Sequence, residues 1–246
     1  MQLKKLLKKF AALSPIVLTR SEYYDRLTEK VIRQVCKPTS ICIDAGANEG
    51  KILEMMIRNC PQVLHYAFEP LPGLYHSLKR KYSSAAHIYN VALSNINGEQ
   101  SFNYVVTNPA YSGLQKRKYD RQEKDETIKV RASKLDDIIP LDQPIALIKL
   151  DIEGGEYDAL CGAKTILTKW HPTLLFEFGK GGADAYGITP EMMFQLLTTL
   201  GYSVYSLPNY LNKKPAYTLP QFSQCFIKGT PFFYVAFASK EKSWNY

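Results

Sequence analysis

The sequence predicts one α/β domain with a mostly parallel sheet, helices on both faces and an antiparallel pair of closing strands. Three observations carry this. Short apolar runs alternate with segments of helical periodicity along most of the chain. Several runs end on an acid, as at Asp44, Glu69, Asp151 and Glu177. The first run, Ile41–Asp44, enters a turn carrying Gly46, Ala47, Asn48 and Gly50 before the helical pattern Ile52, Leu53, Met56, Ile57. Buried strand, tight turn and helix start form the layout that holds nucleotide-like ligands at the carboxyl edge of open α/β sheets. Glycine at position 46 keeps a side chain from pushing a ligand off the backbone and permits a positive φ. The helix start behind it favours a carboxylate or phosphate. The spacing D-x-G-x-x-x-G matches neither the dinucleotide pattern nor the ATP phosphate loop. A glycine turn without a ligand is the plain alternative.

At 246 residues, 46% of them apolar, the chain is long enough for one large core. Its formal net charge of +8 is uneven: residues 1–37 hold nine Lys/Arg against three acids. Residues 1–38 therefore read as a basic helical appendage and 39–246 as the main domain. In residues 3–13, Leu3, Leu6, Leu7, Phe10 and Leu13 share a helical face opposite four lysines, which suits docking on the domain or contact with a membrane surface. Ser14-Pro15 breaks the apolar run a signal peptide would need. No window has the length of a membrane span. The five cysteines (36, 42, 60, 161, 225) include no C-x-x-C pair. They read as apolar fillers of a cytoplasmic protein, not as a zinc site or disulfide frame.

The elements follow in order. Tyr24, Leu27, Val31 and Val35 mark a helix over 21–35, ended by Pro38. After helix 50–59, residues 65–69 form a second buried strand that delivers Glu69 before Pro70. Glu69 lies 25 residues past Asp44, near the spacing of about 20 at which an acid meets ribose hydroxyls. A surface acid at a strand end is its plain alternative. Helix 72–82 leads to a third strand, 87–93, and Asn97-Gly98 signals a hairpin into 101–106. Residues 116–126 read as a solvated, mixed-charge loop or a lid. Strand 127–131 precedes a short helix with Ser133 and Asp136 as an approximate capping box. Ile145–Leu150 is a buried strand presenting Asp151 and Glu153, and Gly154-Gly155 turns into helix 156–168. Strand 174–178 brings Glu177, a helix runs from Thr189 to Leu200, and 201–207 with 232–237 close the sheet as an antiparallel pair.

Asp44, Glu69, Asp151, Glu153 and Glu177 thus gather at one sheet edge. His65, His87 and His171 fall at strand starts, on the opposite side, and His76 falls on a helix. Hydrolase triads find no support.

Four blocks in order, D-A-G-A-N-E-G (44–50), F-E-P (68–70), N-V-A-L-S with a following glycine (90–98) and K-L-D-I-E-G-G-E (149–156), together with Pro172 and Glu177, resemble the FkbM family of S-adenosylmethionine-dependent methyltransferases. The resemblance covers about 40–207. It implies a class I methyltransferase fold, S-adenosylmethionine as cofactor and a hydroxyl acceptor on a sugar, glycolipid or other small molecule. It places Asp44, Gly46, Ala47, Asn48, Gly50, Glu69 and Pro70 at the cofactor, with Asn90, Ala92 and Leu93 flanking the adenine. An acid-lined edge suits a sulfonium cation better than phosphates. Asp44 would orient the loop and meet the methionine ammonium, directly or through water. Asp151 is the first candidate for a base taking the acceptor's proton and Glu153 the second. Their alternative is to shape the site and favour a helix start.

Tyr111 and Ser112 are read as lining the acceptor pocket and Glu177 as holding acceptor hydroxyls. No metal is assigned, although three carboxylates together could bind one. Asn108-Pro109-Ala110-Tyr111 resembles the loop of amino-directed methyltransferases without its second proline, which keeps N-methylation as an alternative. A non-catalytic binding module is another, and a dehydrogenase is disfavoured by the glycine spacing. The expected partner is a small-molecule or glycan acceptor, with no nucleic acid. The sequence assigns no oligomeric state.

Overall fold

The computed structural model describes residues 19–119 and 121–238. The amphipathic segment expected over 3–13 lies outside them. The chain runs α1 (Arg20–Val35), β1 (Ile41–Ala45), α2 (Lys51–Asn59), β2 (His65–Phe68), α3 (Pro72–Tyr82) and β3 (Ala86–Tyr89). It continues with β4 (Ala92–Leu93), β5 (Gly98–Val105), β6 (Asp125–Ser133), β7 (Ile145–Leu150), α4 (Glu156–Cys161), α5 (Lys164–Trp170) and β8 (Thr173–Glu177). Last come α6 (Pro190–Thr199), β9 (Ser203–Ser206), α7 (Leu207–Leu211), α8 (Leu219–Lys228) and β10 (Phe233–Phe237).

Seven strands form the main sheet in the order β3-β2-β1-β7-β8-β10-β9. All pairs are parallel except β10 with β8 and with β9, so the closing strands are the expected antiparallel pair. Its central strands are apolar on both faces because helices cover both. Cys42, Leu147, Leu175 and Val235 pack with Val31 and Ile32 of α1, Met56 of α2 and Leu207 of α7. On the other face, Ile43, Ile148, Leu150, Leu174 and Phe176 pack with α4, α5, α6 and Phe222 of α8. The strand order reverses between β1 and β7, and ligands gather outside the carboxyl ends at such a point.

Several expectations change. Helix α1 contributes Val31 and Ile32 to the core, and Arg20 donates to Gly229 O and lies over the Phe232 ring. Residues 20–35 of the basic segment are therefore integral to the domain. The expected strand 87–93 is two strands, because the Asn90 amide donates to Glu69 O and Pro70 O (both 2.9 Å) and the chain turns there. Ala92–Leu93 then joins a second sheet, β4-β6-β5.

Asn97-Gly98 makes no hairpin between paired neighbours. Ala92 and Gly98 flank Ala132 from opposite sides, so the turn crosses the end of β6. Asn97 Oδ1 fixes it, accepting from Ser133 Oγ (2.9 Å) and Lys134 N (3.0 Å). Ser133 and Asp136 form no capping box; Asp136 instead caps α5, accepting from Thr165 N and Ile166 N. The helix expected over 156–168 breaks at Gly162, where a Cβ would stand 2.1 Å from Ser94 O. Helices α7 and α8 were not foreseen, although Thr218 and Gln221 carry a start signal: Gln221 Oε1 accepts from Thr218 N (2.9 Å).

Candidate active site

The turn after β1 is held by its neighbours. Gly46 N and Ala47 N both donate to Phe68 O at 3.0 Å, which ties the turn to β2. Gly46 has φ +72°, and a Cβ there would meet Asp151 O at 2.0 Å. The need for glycine therefore comes first from the backbone at the end of β7, a correction to the ligand-contact argument. Gly50, φ +82°, caps α2 against Leu78 and Tyr82, and Ala47 packs beside Leu53 and Ala67. Both shape the turn from behind.

Asp44 does not reach the surface. It is fully buried beneath the turn, neither carboxylate oxygen has a hydrogen bond, and Lys149 Nζ stands 3.2 Å from Oδ1. The same ammonium donates to Gly46 O (2.9 Å) and Ala45 O (3.3 Å) and lies 3.6 Å from Asp151 Oδ2. Burial raises the Asp44 carboxyl while Lys149 opposes the rise. Burial also works against the charge on Lys149, yet Asp44, Asp151 and Glu69 outweigh it and hold the ammonium above its ordinary range. One buried cation thus ties the β1 turn to the end of β7. This position suits Asp44 to orienting the loop, the first of the two roles expected of it.

Glu69, nearly buried, follows β2. Its Oε2 accepts from Asn48 N (2.8 Å) and its Oε1 from Leu71 N (2.9 Å). Burial raises its carboxyl, and these two bonds oppose the rise. Each oxygen keeps a lone pair. Beside it opens a cleft of about 600 Å³, counting its mouth. Gly46, Asn48, Glu69, Pro70, Ala92, Leu93, Ser112, Asp151 and Glu153 line it, as do the unforeseen Phe68, Leu71, Leu74, Val91, Phe102, Pro109, Ala110, Leu114, Ile152, Gly155 and Tyr186. The small sheet supplies the apolar wall through Ala92 and Phe102. Asn90 does not line the cleft; it fixes the Glu69–Pro70 backbone.

The end of β7 supplies the chemistry. Asp151, Glu153 and Glu177 carboxylate oxygens lie within 4.8 Å of one another. Asp151 is the most open of these side chains at 38% exposed, against 12% for Glu153. Glu153 has φ +60°, uncommon for a residue with a side chain, and is ion-paired with Arg117. Arg117 also lies 4.7 Å over the Tyr111 ring. Glu156 fixes the turn from below, Oε1 accepting from Ile152 N (2.8 Å) and Gly154 N (3.3 Å); burial pushes its carboxyl up to about 7. Burial, then the charge and hydrogen bond of Asp151, push Glu177 well above the carboxylate range. Asp151 faces the cleft.

The acceptor-side expectations fare unevenly. Ser112 lines the cleft, but its Oγ accepts from Val105 N (2.9 Å) and mainly anchors the loop. Tyr111 is covered by Arg117, and Glu177 borders a smaller adjoining cavity with Arg117, Glu153 and Glu156. The sequence reading missed Lys149, Arg117 and Glu156 as functional residues. A lysine inside the apolar run Ile145–Leu150 was a usable signal; nothing periodic marked Arg117.

The donor set fits S-adenosylmethionine. Glu69 keeps lone pairs for hydroxyls, and the acids lining the cleft suit a cation. No helix among the described residues is long and apolar enough to cross a membrane.

Comparison with known proteins supplies the rest. No curated protein matches the chain. Among solved structures, methyltransferase FkbM from Methylobacillus flagellatus KT is 16% identical with a TM-score of 0.50, over 82% of this chain and 44% of that one. This chain thus spans less than half of that protein's length. A putative methyltransferase from Streptococcus mutans in complex with SAH is 11% identical, covering 90% of this chain and 99% of that one at a TM-score of 0.47. A putative caffeoyl-CoA O-methyltransferase from Staphylococcus aureus is 10% identical, covering 82% and 85% at 0.44. At these identities only the fold is compared. The model of the methyltransferase FkbM domain matches residues 44–204, from the first strand-end acid to the closing strands. That span is well over half of the chain and takes in every strand end that builds the cleft, and the protein belongs to the FkbM methyltransferase family.

Proposed function

We propose that the protein is an O-methyltransferase acting on a hydroxyl of a sugar, a glycolipid or another small molecule. The observation that supports this best is the open Asp151 carboxylate, set in the cleft at the end of the central strand with a Glu177 carboxylate oxygen within 4.8 Å of it. The cofactor, S-adenosylmethionine, supplies a methyl group on a cationic sulfonium; Gly46, Asn48, Glu69, Pro70, Ala92 and Leu93, which line the cleft, would hold it.

Asp151 accepts the proton of the acceptor hydroxyl as its oxygen becomes nucleophilic. Glu177, within 4.8 Å of Asp151, would hold other hydroxyls of the acceptor. Glu153, the second candidate base, is engaged by Arg117 and serves to position the guanidinium in the smaller adjoining cavity. Alignment of the acceptor supplies much of the rate. Arg117 pairs with Glu153 and Lys149 lies 3.6 Å from Asp151, and this reading assigns no metal ion.

The amino-directed alternative rested on Asn108–Tyr111. That loop follows β5 of the small sheet, whereas the strand beside β1 is β7, and the Tyr111 ring is covered by Arg117. The guanidinium over that ring favours the hydroxyl reading. Five free cysteines accord with a cytoplasmic setting. The test is incubation with methyl-labelled S-adenosylmethionine and fractionated sugars and glycolipids. Label recovered as an O-methyl ether supports the reading, and label recovered on nitrogen overturns it.

A further inference from the structure

A second cluster of reactive side chains lies at the other end of β1, away from the cleft. Cys36 caps the C-terminus of α1, Cys42 is the second residue of β1, and Cys60 caps the C-terminus of α2. Their Sγ atoms all lie within 4.8 Å of one another, with Cys36 and Cys42 at 3.7 Å. Cys42 and Cys60 are fully buried, and Cys36 is half-buried and opens the triangle toward solvent.

Buried His65 braces two of the three. Its Nδ1 accepts from Cys42 N (3.2 Å) and its Nε2 donates to Cys60 O (3.0 Å). Both ring nitrogens are thereby used, and the donors left facing one another are three sulfurs.

We propose that Cys36, Cys42 and Cys60 form a three-thiolate site for a thiophilic divalent cation of the zinc class. The dimensions fit: thiolates about 2.3 Å from a tetrahedral zinc ion stand about 3.8 Å apart, close to the Cys36–Cys42 separation. The third sulfur needs to close by no more than about 1 Å to reach that spacing. The electrostatics fit as well. Cys36 and Cys60 sit at helix C-termini, whose partial negative charge disfavours bare thiolates and favours a cation. Softness selects zinc or cadmium over magnesium or calcium, because the triangle contains no oxygen ligand. The fourth position faces the half-open side at Cys36. Binding releases the thiol protons to solvent and joins the ends of α1 and α2 to the sheet. This departs from the sequence reading of the cysteines as apolar fillers: Cys36 and Cys42, six residues apart, do not form a C-x-x-C pair, and Cys60 joins them only in the fold.

The test uses the full chain, reduced with a phosphine and freed of metal. Cadmium is added while thiolate-to-cadmium charge-transfer absorption is followed, and zinc is then added in competition. The proposal expects saturation at one cadmium per chain, displacement by zinc and a higher melting temperature with either ion. Cys36→Ser, at the half-open helix end, should weaken binding at least about tenfold, a loss that even an outer partner of a metal ligand can cause. Cys161→Ser and Cys225→Ser should leave binding unchanged. An absent charge-transfer band, a band of full strength in Cys36→Ser, or a Cys36–Cys42 disulfide in place of metal binding would each overturn it.

Discussion

At the scale of single residues, the site depends on where protons and charges reside. Asp151→Asn keeps size and removes the charge, so folding and cofactor affinity should change little. Turnover should fall by about two to four orders of magnitude, the usual contribution of a positioned base. A loss near tenfold would instead assign the rate to alignment. Glu156 makes a separate claim on stability. Its folded pKa of about 7 lies above its ordinary 4.5, so between these values the native state holds a proton that the unfolded chain has released. The stability from this group is complete below about pH 4.5 and is lost as the pH rises through 7, by about 3 kcal/mol in total. Urea unfolding of parent and Glu156→Gln at pH 5 and pH 8 should therefore diverge, with the parent losing more stability at the higher pH. Parallel profiles would show that Glu156 is ionised in the fold. Asp151, Glu69 and Glu177 could be read from the sequence because each ends an apolar run. Lys149 and Glu156 act from beneath the surface: Lys149 meets Ala45 and Gly46 on a neighbouring strand distant in sequence, and Glu156 turns inward onto the backbone of its own turn.

At the scale of elements, the turn after β1 is built against the end of β7. Gly46→Ala would place a methyl group against Asp151 O from a positive φ. It should cost at least about 1–3 kcal/mol, the range for a strained backbone position, and impair cofactor binding as well. Chemical denaturation with and without S-adenosylhomocysteine measures both, and an unchanged variant would mean the turn is not tied to β7. The strands β1, β2, β7 and β8 were readable within a residue or two, because strands buried on both faces stay apolar throughout. The small sheet was not. Its register depends on Asn90 turning the chain and on Asn97 crossing the end of β6, neither of which leaves a periodic trace. Gly162 breaks a helix whose periodicity looks continuous, because Ser94 O approaches it from outside.

At the scale of the molecule, a doubly wound sheet puts the acids at one end of β1 and the thiols at the other. Helix α1 belongs to that body, so the contribution of residues 1–14 is the open question at its N-terminal side. Their apolar face suits docking on the domain. Removing them should lower the melting temperature, and full-length and truncated protein should both fail to bind anionic vesicles. Salt-sensitive vesicle binding by the full chain alone would make the segment a membrane contact. The central claim is that one cleft sets the cofactor's ribose on Glu69 and its reactive centre beside Asp151. A crystal structure of the complex with S-adenosylhomocysteine tests it most directly. Both ribose hydroxyls should lie on the Glu69 carboxylate, and the sulfur should face Asp151 within the reach of a single water. A ribose held elsewhere, or a sulfur turned away from Asp151 by more than that reach, would contradict it.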